Sequence, residues 1–506
     1  MGTLHETNRS LWIATTPETT YPALDADARV DVAVIGGGIT GLTTARLLVA
    51  AGVSVALVEA GRVCSGATGY TTAKVTSLHR LIYRELTARH GLERAAAYGQ
   101  ANEAAIELVA TTVEEDGIDC SFERTPACTY TEQAGRIDEI EAEVEAAHQL
   151  GLPASFTTET DLPYPVEAAV VFERQAQFHP RRYCLGLASA LTAAGGHVFE
   201  RSRALDVAVH GDRCAVITDR AVLTADRVVV ATLLPFLDIG GYFARAHAHR
   251  SYALAMTTSG PRPSAMYISA EEPTRSIRAT TDGTVIVGGE GHKTGHDRDT
   301  RDRYDALETW ARQRFAVSTI DHRWSAQDYE TVDGVPYVGR LNRWTDRVLI
   351  ATGFRKWGMT NGTAAAMILV DAIVGRDNPW ADAFDSTRLA PRASARSFIV
   401  ENLDVAKRFL VDRTTCRRPR PADDLAPGEG AIVDVAGERV AGYRDEHGVL
   451  HAVSPACTHL GCQVTFNVAE RSWDCPCHGS RFDHRGRVIA GPAVKDLPAK
   501  GVQDRG

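Results

Sequence analysis

Apolar residues in the first sixty positions fall into short runs cut by glycine. Val30-Asp31-Val32-Ala33-Val34-Ile35 reads as a buried parallel strand. Residues 42–51 read as a helix ended by Gly52, and 53–58 as a second strand closing on Glu59. Residues 80–150 carry helical patterns. The stretch 92–115 is Ala-rich and stops at Gly117, and Ile137, Ile140 and Val144 recur at helical spacing up to Gly151. Pro153, Pro163, Pro165 and Pro180 mark 151–180 as loop-rich. A helix is predicted over 181–194, then strands over 197–199, 204–209, 215–218 and 227–231, the last returning to the first sheet. Residues 250–290 predict an antiparallel set. A strand over 348–351 leads through a glycine-bearing turn, 352–362, into a helix over 363–374. Residues 1–29 read as an extended polar lead-in pinned by Trp12. Residues 393–411 read as a joining helix, and 431–435, 439–444 and 449–453 as short strands.

The first strand-to-helix turn is Gly36-Gly37-Gly38-Ile39-Thr40-Gly41. With both strands and the acid in place, this is a dinucleotide fingerprint. Gly36 permits the tight turn, Gly38 lets the backbone approach a pyrophosphate, and Gly41 lets the helix pack on the strand. The helix N-terminus, at Ile39 and Thr40, then faces the phosphates. Glu59 lies eighteen residues after Gly41, placed to accept hydrogen bonds from a ribose. The fingerprint fits FAD or NAD. The loop 65–74, with Ser65, Thr68, Thr72 and Lys74, suits a flavin laid along the protein, and it equally has the composition of an ordinary connection. Gly289-x-Gly291 lacks a third glycine, and His292-Lys293-Thr294 lacks the glycine before lysine. Neither predicts a second nucleotide site.

Near the other end, four of the ten cysteines and two histidines fall between 457 and 480. Cys457-x-His459 and Cys475-x-x-His478 each give one thiolate and one imidazole, the ligand set of a Rieske [2Fe-2S] cluster. Zinc would accept the same donors, but it commonly pairs like with like.

At 506 residues the chain suits two or three domains. A net charge of −9 argues against a nucleic-acid partner. No run approaches the length of a membrane span, and no leader peptide is evident. The other cysteines, at 64, 120, 128, 184, 214 and 416, are scattered, as in a reducing cytoplasm.

The span from about 30 to 380 resembles the D-amino-acid oxidase / glycine oxidase superfamily of FAD-dependent oxidoreductases. The residues that carry the likeness are the fingerprint with Glu59, the 225–232 strand, the Asp333-x-x-Pro336-x-x-Gly339 turn and the 352–362 turn. The resemblance implies an α/β Rossmann-like FAD-binding sheet (about 30–80, 155–240 and 325–385) and an α+β substrate part (about 80–155 and 240–325). It also implies FAD contacts at the fingerprint and loop residues named above, at Val207, and at Thr352, Gly353, Lys356, Gly358, Met359 and Thr360. A linker over 386–424 would lead to a small all-β Rieske domain over 425–506. The latter resembles Rieske proteins of cytochrome bc complexes. That likeness implies a Cys462–Cys477 disulfide between the cluster loops, a Ser480 hydrogen bond to a bridging sulfide, and a covering proline loop at Gly491-Pro492-Ala493. Phe482 replaces the tyrosine of those proteins, which predicts a potential below the top of the range of roughly −150 to +300 mV.

The expected activity is an FAD-dependent dehydrogenation of a small amine or amino-acid-like substrate. Electrons would leave singly through the cluster to an external carrier. Family members acting on α-amino acids often carry an arginine where Asp328 stands in Trp324-Ser325-Ala326-Gln327-Asp328-Tyr329. A carboxylate there would repel a substrate carboxylate and attract an ammonium. Arg278 is a candidate replacement for that arginine. His79, Lys74 and Lys356 are candidate bases by position. Two other readings compete: a reductase with reversed electron flow, and an electron-transfer subunit with no substrate of its own.

Overall fold

Ala28–Ile35 is the centre of the first sheet, and its inner half is buried on both faces. It pairs in parallel with Val55–Val58 on one side and Val222–Val230 on the other. His197–Phe199 extends the sheet beyond Val55–Val58. Val222–Val230 is shared on its far edge. Its first half pairs antiparallel with Arg213–Thr218, and its last residues pair in parallel with Thr345–Thr352. Helices Ile39–Ala50 and Gly358–Val374 each follow a strand of this sheet and pack on one another. The computed structural model describes residues 8–297, 299–388, 399, 402, 403 and 419–501. The expected joining helix at 393–411 lies almost wholly outside the described residues.

The second sheet lies beside the first, in the order Val317–Thr331, Ala246–Thr258, Val285–Lys293, Arg275–Ala279, Met266–Ser269, Ala127–Thr131, Ala168–Phe172, Ala154–Thr157. One expectation is corrected here. Residues 80–150 are not all helical, because Ala127–Thr131 is a fully buried strand. It is short, and it gains its partners from Met266–Ser269 and Ala168–Phe172, far along the chain. Residues 151–180 are loop-rich as expected, around the short strands Ala154–Thr157 and Ala168–Phe172; Pro153, Pro163 and Pro165 sit in the connections, and Pro180 opens the helix Pro180–Ala193. The lead-in contains a short helix, Leu11–Ala14. Trp12 is buried there and its Nε1 donates to the Thr71 carbonyl at 2.7 Å.

The C-terminal domain is two small antiparallel sheets. Gly430–Val435, Glu438–Arg444 and Leu450–Val453 form one; Thr465–Asn467, Ser472–Asp474, Arg481–Asp483 and Val488–Ala490 form the other. Its 467–472 hairpin plugs into the second large sheet through a buried polar knot. Glu470 lies 3.5 Å from Arg250 and 3.8 Å from Arg481, and accepts from the Tyr304 hydroxyl at 2.8 Å. Thr300 donates to Asn467 Oδ1 at 2.6 Å. Burial alone would lower the Arg250 pKa, but Glu470 and Asp474 hold it above its ordinary value. Among the described residues, no helix is long and apolar enough to cross a membrane.

Candidate functional site

A cavity of about 950 Å³ opens between the two large sheets. Gly36, Gly38, Ile39, Thr40 and Glu59 line one end. Gly41 lies behind them, and a Cβ there would sit 1.9 Å from the Gly36 carbonyl oxygen, so only glycine lets the helix close on the turn. Glu59 Oε2 accepts from Gly37 N and Oε1 from Gly61 N, each at 2.7 Å. These bonds offset the burial that pushes its carboxyl up. Thr68 Oγ1 accepts from Ile39 N at 3.2 Å, tying the hydroxyl-rich loop to the helix N-terminus.

Ser65, Thr68, Thr72 and Lys74 line the same cavity from that loop, and Lys356, Gly358 and Met359 close its far side. Thr352, Gly353 and Thr360 stand behind that wall as supports. The Thr352 hydroxyl donates to the Leu233 carbonyl at 2.5 Å and the Thr360 hydroxyl to the Thr76 carbonyl at 2.8 Å. Gly353, at φ +80°, packs where a Cβ would meet Thr331. Val207 is off the cavity, paired with Val216 in the edge strand, and Arg203 and Ala204 form the wall instead. Gly289 and Gly291 belong to one continuous strand, Val285–Lys293, that also lines the cavity.

Three chemical assignments change. Arg278 is buried and donates to the carbonyls of Thr72, Ala73 and Phe178, so it braces the loop and does not meet a substrate. Asp328 accepts from Tyr329 N at 2.8 Å and from Lys356 N at 2.5 Å. It holds the left-handed Arg355-Lys356 turn, at φ 51° and 70°, and is not a free ammonium receptor. Burial raises its pKa to about 6. His79 is engaged at both nitrogens, Nδ1 to the Tyr98 hydroxyl at 2.6 Å and Nε2 to the Thr76 carbonyl at 2.7 Å, so it makes a poor base. Lys74 is buried beside Ser276, and burial, then Arg278, drive its pKa well below the ordinary value.

The second centre lies in the C-terminal domain. A Cys462–Cys477 disulfide joins the two loops. Cys457 and Cys475 are buried free thiols, and the two thiols hydrogen-bond to each other. That contact comes first in lowering Cys457 to about 7, and Ser480 adds to it. The rings of His459 and His478 stand 5.0 Å apart, and both Nδ1 atoms are buried with no hydrogen-bond partner among the described residues. Two thiols in contact and two orphaned imidazole nitrogens on neighbouring rings are the donors a [2Fe-2S] cluster needs. Phe482 is fully buried and brings no hydroxyl.

These loops rest on the first domain. The Tyr329 hydroxyl donates to the His478 carbonyl at 2.9 Å, and Gln327 Nε2 to the Gly479 carbonyl at 2.8 Å. Gly479, at φ +76°, lets the loop sit where a Cβ would be 2.4 Å from Ala248 Cβ. Phe243 meets both histidine rings edge-on. Ile489, Ala490, Gly491, Ala493 and Val494 form part of the wall of the large cavity, so the covering loop of one centre bounds the other.

Asp238 Oδ1 lies 2.8 Å from His459 Nε2. Sequence reasoning missed it because the pair is 221 residues apart. A carboxylate there orients the ring, leaves Nδ1 to the metal, and favours the more positive oxidised cluster. Replacing Asp238 with Asn is therefore expected to raise the cluster potential. Loss of about 1.5 kcal/mol of differential interaction corresponds to roughly 60 mV for one electron. Redox titration followed by EPR checks this, and an unchanged or lower potential contradicts it.

Comparison with known proteins agrees with both centres. Residues 31–372 match the family model described as FAD dependent oxidoreductase, and residues 419–500 match the Rieske [2Fe-2S] domain. The chain is 37% identical, over 97% of its length and 97% of the relative's, to the putative Rieske 2Fe-2S iron-sulfur protein YhfW of Bacillus subtilis. Its fold is similar to glycine oxidase from Geobacillus kaustophilus, with a TM-score of 0.61 at 18% identity over 72% of this chain and 99% of that one. L-proline dehydrogenase from P. horikoshii gives a TM-score of 0.59 at 18% identity, over 72% of this chain and 100% of that one. The chain belongs to the FAD-dependent oxidoreductase family of D-amino-acid oxidase type, with FAD and a C-terminal Rieske [2Fe-2S] cluster as its redox groups.

Proposed function

We propose that the protein is a dehydrogenase of small amines or amino-acid-like molecules that sends electrons through its cluster to an external one-electron carrier. The observation that carries this reading is the shared wall: residues 489–494 of the cluster domain border the flavin cavity. FAD supplies hydride acceptance at a carbon bearing nitrogen, and the cluster supplies one-electron transfer. The glycine oxidase and L-proline dehydrogenase folds support an amine-bearing substrate class.

The fingerprint, the 65–74 loop and the 356–359 turn would hold and orient the flavin, with Glu59 at the ribose end. Lys74 would take the proton of the substrate ammonium, because it lines the cavity and its burial, then Arg278, favour the neutral amine. Activity should then fall as pH drops through the lowered Lys74 pKa and the amine becomes charged. Lys74→Met is expected to lower kcat/KM roughly a hundredfold and to flatten that acidic limb. A pH–rate profile that keeps the limb in the variant contradicts this role.

The overall reading is tested by turnover on a panel of amines and amino acids, in air and anaerobically with a one-electron dye. Dye-dependent turnover with little hydrogen peroxide is expected. Turnover that needs dioxygen and yields stoichiometric peroxide would overturn the dehydrogenase assignment.

A further inference from the structure

One histidine and one carboxylate in the cavity wall, and a second histidine beside them, have no place in either redox site. We propose that His247, His249 and Glu330 bind a divalent transition-metal ion, beside the flavin cavity and against the cluster domain.

The backbone brings them together. Side chains alternate across Ala246–Thr258, so His247 and His249 emerge on one face. On the neighbouring strand, Val317–Thr331, His247 is paired with Glu330. A donor atom from each of the three lies within 4.8 Å of the other two. His249 Nδ1 is 3.8 Å from Glu330 Oε1, and each side chain is 22% exposed. The imidazole centroids are 5.3 Å apart. Bonds of about 2.1 Å in tetrahedral geometry hold donors roughly 3.4 Å apart. His249 and Glu330 are already within about 0.4 Å of that spacing, and closing the whole set from within 4.8 Å takes at most about 1.4 Å of side-chain movement.

The chemistry of the donors fits. Two imidazoles and one carboxylate on one face, with positions left open, suit zinc or ferrous iron. Burial lowers the His249 pKa to about 4, so its imidazole is neutral at neutral pH. Burial works to raise the Glu330 pKa, but Lys356 and His249 hold it below the ordinary value, so the carboxylate is charged. Both are in the form a metal requires. One group a metal must displace is Lys356, whose Nζ is 3.7 Å from Glu330 Oε1. Its side chain is 39% exposed, long and flexible, and can turn to solvent.

His249 and Glu330 line the flavin cavity, while His247 borders a small pocket with Pro476 and Gly479 of the second cluster loop. An ion held here would thus sit against both centres without using any ligand of the Rieske cluster.

The test is zinc binding to the full-length holoenzyme, by equilibrium dialysis with metal analysis. The expected result is one zinc per chain taken up while the cluster iron stays at two per chain. His247→Ala and Glu330→Gln, each checked for intact flavin and cluster spectra, are each expected to weaken binding at least tenfold. Lys356→Met is expected to tighten it severalfold by removing the competing ammonium. No uptake, uptake matched by loss of iron, or wild-type affinity in both ligand variants would overturn the proposal. So would weaker binding in Lys356→Met.

Discussion

Replacing Glu470 with alanine is expected to cost about 3–5 kcal/mol and to loosen the cluster domain from the flavin domain. Glu470 is buried, as are its neighbours Arg250 and Arg481. Its carboxylate lies 3.5 Å from one guanidinium and 3.8 Å from the other. Without it, two positive charges in a dry interface share Asp474, whose Oδ1 is already 2.9 Å from Arg481 Nε. Stranding a buried charge costs far more than an ion pair contributes, because water cannot reach it. The loss falls on the interface, since Arg250 belongs to the second large sheet and Glu470 to the C-terminal hairpin. Denaturant unfolding, with flavin fluorescence and the visible circular dichroism of the cluster recorded together, measures it. The cluster signal is expected to leave first in the variant. Coincident transitions at the wild-type midpoint contradict the expectation.

Replacing Gly41 with alanine is expected to weaken FAD binding roughly a thousandfold, about 4.1 kcal/mol. The added Cβ would stand 1.9 Å from the Gly36 carbonyl oxygen and 3.3 Å from Val34 Cγ1. Both neighbours belong to the strand and turn that aim the helix, so relief must come from moving the helix off the sheet. That movement withdraws the helix N-terminus from the phosphates and disturbs the Gly37–Glu59 contact beside it. Fluorescence titration of the flavin-stripped variant gives the affinity. Variant protein purified with full flavin occupancy contradicts this.

What was legible in the sequence was local. The glycine turn with its flanking strands and acid, and the two Cys/His loops, are contiguous motifs whose residue types are dictated by close backbone approach and by metal coordination. Both redox centres could therefore be read from short windows. What was not legible depends on partners far apart in the chain. Ala127–Thr131 becomes a strand because two distant strands accept it, and its own five residues are too few to announce a period. Asp328 could be placed by likeness, but its bond to Lys356 N depends on a turn nearly thirty residues on. Asp238 at His459, Tyr329 at His478 and Gln327 at Gly479 join residues about 150 to 220 positions apart. Val207 lies three positions beyond Ala204, the last residue of that segment in the cavity lining.

The account rests on the two centres exchanging electrons inside one chain. Tyr329 and Gln327 hold the second cluster loop from a strand that also lines the flavin cavity, and residues 489–494 return the contact from the other side. Flash photoreduction of the flavin under anaerobic conditions, followed optically and by EPR, tests this directly and needs no knowledge of the substrate. The account predicts reoxidation of the flavin together with appearance of the reduced Rieske signal, at a rate independent of protein concentration. A cluster that stays oxidised, or is reduced only at a rate proportional to protein concentration, would contradict it.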